Sequence, residues 1–143
     1  MKQVILYTIE QLSQVVQNLT QDIKDFSIIT LTGDLGAGKT TLVKKLLAEW
    51  GVQEEILSPT FTYVNCYKND QGQKIFHFDC YRITNLNQFL EFGFDEYLNE
   101  PGAICLIEWP QVVQPLLDQQ LAGRVCSLEI SHISNDQRKL IIK

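Results

Sequence analysis

The segment Gly33-Asp34-Leu35-Gly36-Ala37-Gly38-Lys39-Thr40 satisfies the pattern G-x-x-x-x-G-K-[ST] at every fixed position, with Gly36 as an additional glycine. Glycines let the backbone take positive φ and approach a ligand closely, so that successive N–H groups curl into an anion nest at the positive end of the following helix. In such chemistry Lys39 reaches the β- and γ-phosphates and the Thr40 hydroxyl is placed for Mg²⁺. These residue types point to a nucleoside triphosphate held with magnesium. The bland alternative is a glycine turn that merely caps a helix.

A phosphoryl-transfer site also needs an acid to organise metal or water. Glu108 follows the apolar run Ile104-Cys105-Leu106-Ile107, and Asp79 follows Phe76-His77-Phe78. Each acid is a candidate for that work. Each also has a plain reading, Glu108 as a strand-end surface carboxylate and Asp79 as a turn acid paired with Arg82. Thr60, in Ser58-Pro59-Thr60, either bonds nearby backbone in a turn or sits on a loop that senses the γ-phosphate. His77 alternates with Phe76 and Phe78 and reads as a packed or hydrogen-bonded histidine, and Trp109 as a core or rim aromatic.

The elements that must position these groups follow from periodicity. Val4 to Tyr7 reads as a strand, and Leu12, Val15, Val16 and Leu19 lie at helical spacing within Glu10 to Thr20. Ser27 to Thr32 reads as a buried strand running into Gly33, and a helix from Lys39 carries Leu42, Val43, Leu46, Leu47 and Trp50 until Gly51 ends it. Phe61 to Tyr67 and Lys74 to Cys80 form an antiparallel hairpin around Asn69-Asp70-Gln71-Gly72. Leu86 to Phe92 is a short helix, Phe94 to Leu98 a further turn, and Ala103 to Trp109 a strand buried on both faces and stopped by Pro110. Val125 to Ile133 and Leu140 to Ile142 close the chain as strands. The fold class is therefore α/β, a three-layer P-loop NTPase-like fold with a mixed central sheet, and residues 1–143 are expected to form a single domain.

Composition narrows the function. A net charge of −5, with 12 Lys and Arg in no dense cluster, disfavours direct binding of tRNA or DNA. Lys44-Lys45 and Arg138-Lys139 read as solvated faces. The four cysteines lack C-x-x-C spacing and there are two histidines, so neither structural zinc nor disulfides are expected. The apolar start is too short for a signal-peptide core, and no run approaches the roughly 20 residues that span a bilayer, so a cytoplasmic location is expected.

Taken together, Gly33 to Thr41, Ser58-Pro59-Thr60-Phe61-Thr62, His77-Phe78-Asp79-Cys80-Tyr81-Arg82 and Ile107-Glu108-Trp109 resemble the bacterial TsaE family, ATPases of tRNA threonylcarbamoyladenosine biosynthesis. The likeness keeps the order and spacing of four motifs over nearly the whole chain. It implies Gly33 to Thr41 (Gly33, Asp34, Leu35, Gly36, Ala37, Gly38, Lys39, Thr40, Thr41) around the phosphates of ATP and Thr40 and Glu108 at Mg²⁺. It further implies Asp79 and Thr60 near the γ-phosphate, with Lys39 and Glu108 completing the catalytic set. Trp109 joins the site, and Gln11 and His132 approach the nucleoside. It also implies an accessory motor that engages the TsaB and TsaD transferase subunits and meets tRNA only through them, modifying adenosine 37 of tRNAs that read codons beginning with A.

Two rivals accompany that expectation. A small metabolite kinase needs an arginine-rich lid, and the chain offers only Arg82, Arg124 and Arg138. A nucleotide-gated binding module needs the same residues as an ATPase but no hydrolysis.

Overall fold

The computed structural model describes residues 2–34 and 36–143. Leu35, one of the expected phosphate-loop residues, lies outside the described residues. Seven strands form one sheet in the order β1-β7-β6-β2-β5-β4-β3, comprising β1 (Gln3–Thr8), β2 (Ile28–Thr32), β3 (Val64–Lys68), β4 (Lys74–Asp79), β5 (Ile104–Glu108), β6 (Val125–His132) and β7 (Gln137–Ile142). The inner strands β6, β2, β5 and β4 are parallel, while β3, β7 and β1 add on antiparallel. The sheet is thus mixed, as expected for an α/β chain.

The inner strands are continuous apolar runs because both of their faces are covered. On one face α1 (Leu12–Asp22) and α2 (Lys39–Glu49) pack through Leu12, Val16, Leu19, Leu42, Leu46 and Leu47, and these meet Ile29, Leu31 and Leu106 of the sheet. On the other face α3 (Leu86–Glu91), α4 (Asp95–Leu98) and α5 (Gln114–Gln120) bring Phe89, Leu98 and Leu117 against Phe76, Phe78 and Ile107. Phe89 has no exposed surface and contacts Phe78 and Phe94 through its ring. Truncating such a side chain to alanine costs about 3–5 kcal/mol.

Two segments differ from the sequence expectation. The first hairpin strand starts at Val64 and not at Phe61, because the chain bends back: Tyr63 takes φ 67°, donates from its N–H to the Pro59 carbonyl at 2.7 Å, and accepts from the Asp79 N–H at 2.9 Å. Helix α5 was not anticipated. Pro110 and Pro115 and a run of glutamines obscure it, yet proline is tolerated in a first helical turn. Val113, Leu117 and Leu121, spaced by four, are its buried face and the signal that identifies it.

Among the described residues no helix is long and apolar enough to cross a membrane. The four cysteines are free, with Cys80, Cys105 and Cys126 buried and Cys66 exposed.

Candidate functional site

Parallel pairing brings the carboxyl ends of β2, β5 and β4 to one edge of the sheet, with Leu31 beside Glu108 and Glu108 beside Asp79 in register. Alternation along the strands then puts His77, Asp79 and Glu108 on the α2 side of the sheet. Open α/β sheets bind ligands at such an edge. The loop from β2 into α2 lies there too, and its glycines use the conformations that only glycine adopts freely: Gly33 has φ 151°, Gly36 φ 81° and Gly38 φ 106°. At Gly33 the need is also spatial, since a Cβ there would stand 2.5 Å from the Ile130 carbonyl oxygen.

A cleft of about 410 Å³ opens over this loop, and it brings together most of the expected residues: Gly36, Gly38, Lys39, Thr40, Thr41, Thr60, Asp79, Glu108 and Trp109 all line it. Lys39 is buried, and its ammonium donates to the Gly33 carbonyl and lies 3.7 Å from the centre of the Trp109 ring. Burial lowers its pKa from the usual lysine value, while the carboxylates of Glu108, Asp79 and Asp34 pull in the opposite direction. Trp109 reaches this position because its backbone turns left-handed at φ 54° where β5 ends. A non-glycine residue in that region costs about 1–3 kcal/mol and persists where the surroundings enforce it. Tyr81 supports the indole from the side, with ring centres 5.0 Å apart.

The two acids are held differently. Glu108 Oε2 pairs with His77 Nε2 at 2.6 Å, in a contact where both side chains are almost wholly buried. His77 is therefore hydrogen-bonded, and the bond orients a carboxylate on the wall of the cleft. Asp79 accepts at Oδ1 from the Tyr81 N–H at 3.0 Å and at Oδ2 from the Thr60 hydroxyl at 3.2 Å. Thr60 lies 2.7 Å from the Ser58 hydroxyl, so a chain of hydroxyls runs from the loop to the acid. An Asp79–Arg82 ion pair does not form. Arg82 instead lies over Phe61, 4.4 Å from its ring centre.

No group of three or more His, Cys, Asp and Glu capable of holding a metal occurs among the described residues. The donor set that does converge, the Thr40 hydroxyl and the Glu108 and Asp79 carboxylates, is hard oxygen and sparse. It fits Mg²⁺, which keeps water and takes further oxygens from a substrate's phosphates.

Five of the described expected residues lie outside the lining of this cleft: Gly33, Asp34 and Ala37 of the phosphate loop line a neighbouring cleft, and Gln11 and His132 stand apart from the main one. Gln11 is exposed and accepts at Oε1 from the Thr8 N–H at 2.9 Å, bracing the turn that carries Ile9. His132 is exposed and lines a second cleft behind the phosphate loop, with Asp34, Ala37 and Gln111. Conversely, Tyr7, Ile9, Leu12 and Arg138 line the main cleft although no sharp motif marks them, and Ser58 lines it beside Thr60 of its own motif. Arg138 is not the solvated cation its neighbour Lys139 suggested. Its position depends on strand β7 returning beside β1, a long-range pairing that no local pattern announces.

A family model described as "Threonylcarbamoyl adenosine biosynthesis protein TsaE" matches residues 6–140. Three similar proteins carry the name "tRNA threonylcarbamoyladenosine biosynthesis protein TsaE". That of Rickettsia conorii is 33% identical, covering 93% of this chain and 81% of the relative. That of Aquifex aeolicus is 34% identical, covering 99% and 96%, and that of Bacillus subtilis is 35% identical, covering 82% and 69%. The crystal structure of YdiB from Bacillus subtilis superposes with a TM-score of 0.71 at 26% identity, covering 99% of this chain and 86% of that one. With the family model and these relatives matching along most of its length, the chain belongs to the TsaE family.

Proposed function

We propose that this chain binds MgATP in the cleft above the phosphate loop, hydrolyses it, and thereby serves the threonylcarbamoylation of adenosine 37 in tRNAs reading codons that begin with A. The observation that carries the reading is the convergence of Lys39, Thr40, Thr60, Asp79 and Glu108 on one cleft over a loop of left-handed glycines. Family membership supplies the biological setting.

In this mechanism the loop amides and the Lys39 ammonium bind the polyphosphate tail. Lys39 leaves the Gly33 carbonyl for the β- and γ-phosphates, and a ligand's negative charge offsets the burial that lowers its pKa. Thr40 and Glu108 would hold Mg²⁺, which would supply positive charge against that on the phosphates. His77 fixes one oxygen of Glu108 and so aims the carboxylate. Asp79 exchanges its bond with Thr60 for one to the attacking water and accepts its proton as the γ-phosphoryl leaves. The released Thr60 hydroxyl turns to the γ-phosphate, so the Ser58 to Thr60 loop differs between the triphosphate and diphosphate states.

With a net charge of −5, the chain meets tRNA through TsaB and TsaD and not directly, and it works in the cytoplasm. The kinase alternative is disfavoured because only one of the three arginines, Arg138, lines the cleft, too few for an arginine-rich lid. Arg124 is tied to Ser27 at 3.0 Å, away from the lining of the cleft, and Arg82 lies on Phe61. The test is reconstitution with TsaB, TsaD and tRNA, counting rounds of modification with ATP and with a non-hydrolysable analogue. Many rounds with ATP against about one with the analogue is the expected result. Equal multiple-round yields would mean that the bound nucleotide only gates a partner-binding shape.

A further inference from the structure

The chain from α3 into α4 carries an aromatic shelf outside the cleft. Leu90, Phe92 and Tyr97 are exposed there, Phe92 to 46%. Phe94 seats them on the core: its ring centre stands 5.3 Å from Phe92, 6.2 Å from Tyr97 and 5.6 Å from the fully buried Phe89. Tyr63 stacks on Phe92 at 5.5 Å. Rings held by one another in this way are ordered before a partner arrives, so docking on them costs little conformational entropy. Exposed aromatic side chains gathered in one place mark binding surfaces, whereas scattered single ones do not. Tyr63 also ties the shelf to the cleft. Its N–H donates to the carbonyl of Pro59, the residue before Thr60, and its own carbonyl accepts from the Asp79 N–H.

The charge around the shelf identifies what it receives. From Ile83 to Gly123 the sequence holds no lysine, arginine or histidine. Glu91, Asp95 and Glu96 flank the exposed rings along the chain, and among the described residues none of them forms an ion pair. The nearby Glu100 does, with Lys74 at 2.9 Å. Uncompensated carboxylates repel the phosphates of nucleic acids and of anionic lipids, and they attract lysine and arginine. An apolar centre with an acidic rim is the complement of a protein surface with an apolar centre and a basic rim. The chain has a basic and apolar surface of its own, where Val4 and Leu6 are exposed on β1 and Lys139 of β7 is the register partner of Leu6. That surface belongs to the edge of the sheet opposite β3. Contact between two such different faces of identical chains repeats without closing, which favours a different protein as the occupant.

We propose that the shelf of Leu90, Phe92 and Tyr97 is a protein-docking face of this chain, that its occupant is a surface of lysines and arginines around an apolar centre, and that the TsaB and TsaD subunits carry that surface. This rests on the partner reading above and adds to it which face is used and by what chemistry. Phe92 supplies the apolar anchor, and Glu91 and Glu96 the rim that attracts and orients the partner.

The experiment is calorimetric titration of the full chain with purified TsaB and TsaD together, with MgATP present, at low and at high salt. We expect Phe92→Ser to weaken association by about 10- to 100-fold, the loss of a central aromatic anchor. The double variant Glu91→Lys with Glu96→Lys should weaken it by about 10-fold at low salt and by less at high salt, where screening reduces the attraction that was lost. Glu49→Lys, a charge reversal on α2 at the other face of the sheet, should match the wild type. Each variant is also titrated with MgATP, and wild-type affinity there shows an intact fold. Glu91 and Glu96 are exposed, so the double variant carries the test alone should Phe92→Ser not fold. Wild-type association by the shelf variants, or an equal loss in Glu49→Lys, overturns the proposal. So does sedimentation showing a concentration-dependent oligomer that the shelf variants abolish, which assigns the face to a second copy. A wild type that binds MgATP but not TsaB and TsaD overturns the partner reading itself and leaves the nucleotide reading standing.

Discussion

The two ends of the cleft are built by different means. At the phosphate end, the groups sit at the tips of adjacent parallel strands and on the loop between β2 and α2, and buried polar groups fix one another: His77 to Glu108, Thr60 to Asp79, Lys39 to Gly33. At the opposite end, Tyr7, Ile9, Leu12 and Arg138 come from the sheet edge, where backbone oxygens hold the one cation. The first end concentrates charge in a place where water is scarce and each interaction is strong. The second offers surface and shape. On the function proposed above, chemistry falls at one end and grip at the other, so substitutions at the two should change different measurements.

The largest contrast is expected from Asp79→Asn, which keeps shape but cannot accept a proton. Phosphate release should fall by about 10²- to 10⁴-fold while ATP affinity stays close to that of the wild type. A variant that turns over normally would remove Asp79 from the chemistry and blur the division. Next is Lys39→Ala, for which calorimetry should show ATP bound about 10- to 100-fold more weakly, the loss of a charge-assisted bond to the tail. Normal affinity in this variant would argue that the loop amides suffice. His77→Leu is a finer probe, since His77 touches Glu108 and not the ligand. It should raise the Mg²⁺ concentration for half-maximal turnover by about 10-fold and leave metal-free nucleotide binding unaltered, with His77→Gln restoring part of the loss. Equal Mg²⁺ requirements in all three proteins would reduce His77 to packing.

The smallest effect concerns the thiols. Burial pushes the Cys80 and Cys105 thiols up to about 12, and Cys66 is the exposed cysteine. At pH 8, below those values, a thiol reagent should therefore modify one cysteine of the native protein and all four after denaturation. Rapid modification of Cys80 in the native state would mean that the strand end carrying Asp79 opens to solvent.

The same division governs how much was legible in the sequence. Glycines before a lysine and threonine, and apolar runs ending in acids, are local signals whose cause is local: a backbone that must curl and strands that must stop at one edge. They pointed to Lys39, Thr40, Asp79 and Glu108, which line one cleft, whereas Trp109, read from its surroundings as a core or rim aromatic, joined them only through the family resemblance. Arg138 was misread because its surroundings are polar in sequence and only the antiparallel pairing of β1 with β7 carries it to the cleft. Helix α5 escaped for a related reason, its apolar positions being diluted by glutamine and interrupted by proline, so that the four-residue spacing of Val113, Leu117 and Leu121 went unweighted. The start of β3 was misplaced because Tyr63 adopts a left-handed backbone that its residue type does not advertise.

The ammonium resting against the Trp109 indole gives the molecule an optical reporter of its own. The chain has two tryptophans, and Trp50 stands at the far tip of α2, about 16 Å along the helix from Lys39. Under the binding mode proposed above, Lys39 would swing toward an incoming anion, changing the environment of one indole and not of the other. Emission from a Trp50→Phe protein should therefore track occupancy of the cleft in real time, with no dye attached.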